Sequence, residues 1–212
     1  MAKHLIIIYF GLCLFLSVSV KAQISHGGQP LPLTATKSLT EDMFIIMPPF
    51  DLAEQLRLRS GFRFAYKFMT DYRPENSGVR FTLPDGTKVW RLGIRSEGAL
   101  SLNVMFSEYH LPKGARVFLY NNDQSEVLGS FNHLNNSERS ILPVAPIQGD
   151  ELIIEYQEPM EAAFPGKLAV GEVNHGYRKF RISEPQPDFA AFQCMPARIR
   201  QLATTLSNAV LS

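Results

Sequence analysis

A period-two alternation of apolar and polar residues, running from Gly61 through most of the chain, limits what this sequence can fold into. Phe62, Phe64, Tyr66 and Phe68 alternate with Arg63, Ala65 and Lys67. Val79, Phe81 and Leu83 alternate with Arg80 and Thr82, and Trp90, Leu92 and Ile94 share one parity. Leu100, Leu102, Val104 and Phe106 alternate with Ser101, Asn103 and Ser107. Ala115, Val117 and Leu119, then Leu152, Ile154 and Tyr156, then Leu168 and Val170, continue the pattern. Successive side chains of a strand point to opposite faces, so each segment reads as a strand with one apolar face. Turn formers punctuate them: Pro84-Asp85-Gly86, Lys113-Gly114 and Asn121-Asn122-Asp123. Such strands must hide their apolar faces against a second layer. The expected fold is therefore mainly β, an antiparallel, jelly-roll-like β-sandwich.

Composition is consistent with that expectation and narrows the function. Of 212 residues, 45% are hydrophobic and 19% charged, enough to bury a core. With 21 basic against 20 acidic residues and no basic stripe, nothing draws the chain toward nucleic acid. Residues 43–182 form the expected sandwich region. Within it, Met43 to Pro49 is a short apolar stretch ended by two prolines. Asp51 then reads as the N-cap of a short helix carrying Leu52, Gln55, Leu56 and Arg59.

The flanks differ from the body. Residues 1–22 start with Lys3 and His4, run apolar from Leu5 to Val20, and end Val20-Lys21-Ala22. That is the pattern of a cleaved secretory signal peptide, and it implies a secreted, periplasmic or cell-surface protein. No membrane span is expected after cleavage. Residues 23–42 are polar and turn-rich, an extended leader. After cleavage Cys194 is the only cysteine, so an intramolecular disulfide is excluded and a disulfide-linked dimer through Cys194 is the bridge left open. Residues 183–212 form an atypical tail with a C-terminal helix pattern on Ile199, Leu202, Leu206 and Val210.

Little in the sequence points to catalysis. No Gly-x-Ser-x-Gly turn, phosphate loop, dinucleotide fingerprint or Cys-x-x-Cys is present. His26, His110, His133 and His175 stand singly, without metal-ligand spacing, and read as surface or hydrogen-bonded structural residues. Asn121, Asp123 and Ser125 alternate oxygen ligands as a calcium loop does, but a hairpin turn explains them better. Asp150 and Glu151 are adjacent in a strand, so their carboxylates diverge. No metal or cofactor is expected. Trp90, beside Arg91, is the one candidate binding residue. Exposed, it would stack on a sugar ring; its shared parity with Leu92 and Ile94 favours a core position.

The stretch VWRLGIRSEGALSLNVMFSEYHLPKGARVFLYN (Val89 to Asn121) resembles the N-terminal, non-catalytic region of bacterial secreted lysyl-endopeptidase-type, trypsin-like serine proteases. GDELIIEYQEP (Gly149 to Pro159) and GEVNHGYRKF (Gly171 to Phe180) resemble it too, in the same order and spacing. The resemblance spans about residues 40–182. It implies a prodomain-like β-sandwich whose partner is the trypsin-like protease domain that follows it in the precursor, and a folding-assistance or inhibitory role there. Exposed strand edges and the Asn174-His175-Gly176-Tyr177 junction are the expected docking points. No triad residue can be carried over, so the chain is expected not to be an enzyme. The change of character near Pro187 is read as a truncated or frame-shifted product. The alternative from another class is a secreted glycan- or surface-binding module, for which Trp90 would be the platform.

Overall fold

The computed structural model describes residues 25–32, 44–57 and 63–178, all within one compact unit that ends at Arg178. The expected signal peptide, most of the expected leader, the expected C-terminal helix and Cys194 lie outside the described residues. In chain order the elements are β1 (Phe44–Ile46), α1 (Leu52–Arg57), β2 (Ala65–Tyr72), β3 (Val79–Thr82), β4 (Lys88–Arg95) and β5 (Ser101–His110). They continue with β6 (Arg116–Tyr120), β7 (Val127–Phe131), β8 (Leu142–Pro143), β9 (Ile147–Gln148), β10 (Glu151–Glu158) and β11 (Lys167–Gly176).

The strands form two sheets. A six-stranded sheet runs β1-β4-β10-β6-β7, with β3 also on β4. A five-stranded sheet runs β2-β11-β5-β8, with β9 also on β5. The chain changes sheet between β4, β5 and β6, and again between β10 and β11, so neighbours in a sheet are mostly distant in sequence. This is the expected mainly β sandwich. One pairing departs from antiparallel: β1 runs parallel to β4, with Phe44 opposite Gly93. The short helix is also present. Asp51 caps it, its Oδ1 accepting from the Glu54 amide at 2.9 Å, and Leu52 and Leu56 are exposed.

The core forms where the two apolar faces meet. Trp90, Leu92, Ile94, Val117, Leu119, Leu152 and Ile154 of one sheet pack with Phe68, Leu102, Val104, Phe106, Val170 and Val173 of the other. The alternation places these residues correctly, except Val173, which lies beyond a shift of parity. In β5 and β11 the register shifts around Ser107 and Gly171, which moves the buried parity from Phe106 to Tyr109 and from Val170 to Val173.

On the other face of the six-stranded sheet the alternation fails as a guide. Val89, Arg91, Gly93, Phe118, Tyr120, Ile153 and Glu155 are all buried, although their parity points them away from the core. Two segments cover them. Phe44 of β1 lies over Gly93, where an added Cβ would sit 2.8 Å from the Phe44 ring, and packs on Phe118, Tyr120 and Ile153. Residues 25–32 of the leader cross the same face. The His26 amide donates to the Ser130 carbonyl at 2.9 Å and the Ser130 amide to the Gly27 carbonyl at 3.0 Å. The Leu31 amide donates to Glu155 Oε1 at 2.9 Å.

Beneath that strap lies an ion pair with both side chains fully buried: Arg91 Nε to Glu155 Oε2, 2.7 Å. The two residues are direct cross-strand partners in the β4–β10 ladder. Glu155 also accepts from the Tyr120 hydroxyl at 2.9 Å and from Gln157 Nε2 at 2.7 Å. Removing one member of such a pair strands the other charge in a dry site. Arg91→Met alone or Glu155→Leu alone is expected to cost about 3–5 kcal/mol of stability. The double substitution is expected to cost less than either single one, and urea denaturation of the three variants measures this.

Candidate functional site

The last strand of the sandwich carries the segment singled out in the sequence. The Leu100 amide donates to the Gly176 carbonyl at 2.8 Å, and the Tyr177 amide to the Phe64 carbonyl at 3.0 Å, so the end of β11 is fixed on both sides. His175 is buried, its Nδ1 2.7 Å from Ser96 Oγ. The Phe50 ring meets its edge with centroids 4.8 Å apart. Burial pushes the His175 pKa below its ordinary value, with the charge of Asp150 opposing. A serine beside a histidine is the start of a nucleophile–base pair. Here Ser96 is 3% exposed and His175 4%, so no substrate carbonyl reaches the hydroxyl. The pair locks β11 to the loop after β4.

Next to this end a hollow of about 660 Å³ opens, lined by Arg63, Phe64, Tyr66, Lys67, Glu172 and Asn174 among others. Lys67 Nζ and Glu172 pair across it at 2.8 Å. The hollow presents amides, one ion pair and two aromatic rings, a mixed surface of polar and apolar groups.

A second hollow of about 690 Å³ lies at the other end of the sandwich, lined by Arg80, Phe81, Lys88, Trp90, Tyr156 and Glu158. The buried carboxylate of Glu158 accepts from the Tyr156 hydroxyl at 2.6 Å, the Gly166 amide at 2.7 Å and Lys88 Nζ at 3.3 Å. Burial pushes its pKa up, and these donors outweigh it, leaving the group below the ordinary carboxylate range. Burial, with Glu158 alongside, pushes the Tyr156 hydroxyl up. At neutral pH one group therefore stays ionised and the other protonated. Neither is poised to transfer a proton.

Trp90 sits on the inner wall of this hollow at 2% exposure, its indole nitrogen donating to the Ser77 carbonyl at 2.7 Å. The stacking-platform reading is corrected: a ring buried among Leu92, Ile94 and the facing sheet has no free face for a sugar. Trp90→Ala is expected to cost about 3–5 kcal/mol. A thermal melt checks this, and a binding assay on that variant would report lost folding.

The other sequence candidates resolve into structure. Asn121, Asp123 and Ser125 bond to one another: Asn121 Nδ2 to Ser125 Oγ at 2.7 Å, and Ser125 Oγ to Asp123 Oδ1 at 2.8 Å. They make a hairpin turn between β6 and β7. Glu151 pairs with Arg95 at 2.7 Å, while the Asp150 carbonyl accepts from the Ser96 amide at 2.9 Å. Among the described residues no group of three or more His, Cys, Asp or Glu side chains is arranged to hold a metal, and no helix is long and apolar enough to cross a membrane. No protein-family model matches the chain.

Sequence reasoning missed Arg91, Glu155, Tyr120 and Gln124 as a group that grips the leader. A signal was present. Val117-Phe118-Leu119-Tyr120 and Leu152-Ile153-Ile154 are unbroken apolar runs, the pattern of strands buried on both faces.

The depressed pKa of His175 gives a pH prediction. The unfolded chain takes up the proton first, so stability is complete above the ordinary value of about 6.5 and declines as pH falls below it. The steepest loss is about 1.4 kcal/mol per pH unit. His175→Gln is expected to flatten that decline in thermal melts between about pH 8 and about pH 5.

Proposed function

We propose that this chain is an exported, non-catalytic β-sandwich that serves a trypsin-like serine protease domain of the lysyl-endopeptidase type, assisting its folding or holding it inactive. One observation carries the reading. The three stretches that resemble that family's N-terminal region supply β4, β5, β6, β10 and β11, the central strands of both sheets. The resemblance therefore covers the framework of a folded domain instead of scattered loops. The firmly anchored end of β11, with the hollow of Arg63, Tyr66, Lys67, Glu172 and Asn174 beside it, offers a surface for a partner domain joined there. A stable interface of this kind buries about 1,200 Å² or more.

The absence of peptide-bond cleavage is part of the proposal. Its support is the Ser96–His175 contact, which is enclosed and turned to a structural use. The chain, produced from Gln23 onward, is expected to raise the refolding yield of a lysyl-endopeptidase-type protease or lower its activity toward a lysine-containing peptide. It is expected to release no product from that peptide by itself. Unchanged yield and unchanged activity at saturating protein would remove the reading.

A further inference from the structure

The strap formed by residues 25–32 is bound as a ligand peptide is bound. Its contacts are mostly to its own backbone. The His26 amide and the Gly27 carbonyl pair with Ser130 at the free edge of β7, and Ser130 Oγ adds a bond to the Gly27 carbonyl at 2.8 Å. Ser25 Oγ donates to the Gly129 carbonyl. This is the addition of an extended segment to a sheet edge. Four residues on, the Leu31 peptide is clamped at both ends. Its amide donates to Glu155 Oε1 at 2.9 Å, and its carbonyl accepts from Gln124 Nε2 at 2.9 Å and from Arg91 Nη2 at 3.4 Å.

Side-chain features of the segment fit between these clamps. Gly27 and Gly28 adopt φ of +70° and +101°, a region that disfavours side chains, and Gly28 lies against the Phe118 ring. Pro30 is buried, while Ser25 to Gln29 are exposed. The floor is Arg91 and Glu155, both fully buried only because something covers them.

We propose that the outer face of the six-stranded sheet is a peptide-recognition groove whose ligand is this chain's own segment 25–32, bound in an exchangeable way. The groove selects a Gly-Gly-Xaa-Pro-Leu backbone with both glycines left-handed and a free amide at the last position. The inference stands independently of any protease partner.

The test uses the chain from Gln23 with a site-specific protease recognition sequence inserted after Ala35, cut only after folding. A labelled synthetic peptide spanning Ser25 to Pro32 is then added and followed by fluorescence anisotropy and native mass spectrometry. The expected result is one peptide per chain, with release of the cut segment and the thermal midpoint of the uncut protein retained. A peptide carrying Leu31→Pro lacks the clamped amide and is expected to bind at least about tenfold more weakly. Gln124→Ala, which leaves the ion pair in place, is expected to weaken the unmodified peptide several-fold. Exchange of the segment between two copies, seen as a dimer, is the same recognition and supports the proposal. Two results overturn it. One is an unchanged thermal midpoint when the cut segment has been removed and no peptide has been added. The other is failure of the labelled peptide to bind after the cut segment has been washed out in mild urea.

Discussion

The pairing of β4 with β10 is the interaction on which the rest of this structure depends. Along one ladder three cross-strand pairs carry opposite charges: Lys88 with Glu158, Arg91 with Glu155, and Arg95 with Glu151. A slip of one residue would break all three and turn Trp90, Leu92 and Ile94 out of the core. Register is thus specified twice, by apolar parity and by charge. The outer two pairs retain contact with solvent and contribute little individually. The central pair is dry. Burying two charges costs several kcal/mol per ion, and their attraction offsets this only when the remaining polar atoms are also bonded. Tyr120, Gln157 and the Leu31 amide make those bonds. The ladder therefore requires the strap, and the strap in turn buries Pro30 and helps close the second face of the sheet.

The same logic accounts for the polar groups described inside the sandwich. Glu158 has three donors, Glu155 has Arg91 and further donors besides, and His175 has Ser96. Each spends its bonding capacity on holding strands together. Among the described residues the open hollows mix polar and apolar lining with charges of both signs, and that suits association with another surface.

The fold was legible because its signal is local. Phe64, Tyr66 and Phe68, or Leu102, Val104 and Phe106, declare a strand and its inner face without reference to anything distant. The Asp51 cap and the Asn121–Ser125 turn are likewise short-range geometry. The second buried face was hidden because its cause is remote: Leu31 meets Glu155 across 124 positions. Nothing adjacent in the sequence marks Arg91 and Glu155 as buried partners. Only the unbroken apolar runs at 117–120 and 152–154 hinted that those strands had no solvent face. The parallel pairing of β1 was equally out of reach, since three residues ending before two prolines carry no directional signal.

A resemblance concentrated on central strands speaks more strongly to architecture than to use, because one sandwich framework serves many unrelated tasks. The features that distinguish this molecule lie outside those strands. They are the leader segment, the free edge of β7 and the loop that carries Gln124. An extended leader with Pro30 and Pro32 has fewer unfolded conformations to lose than an ordinary chain, so ordering it on the sheet costs less entropy. Its two glycines, by contrast, lose more freedom than any other residue would. They are tolerable here because the left-handed backbone at Gly27 and Gly28 brings the chain onto Phe118 and into line with Ser130. A segment that combines stiff and supple residues so specifically is matched to one groove, and that groove exists only where the charged ladder beneath it is complete.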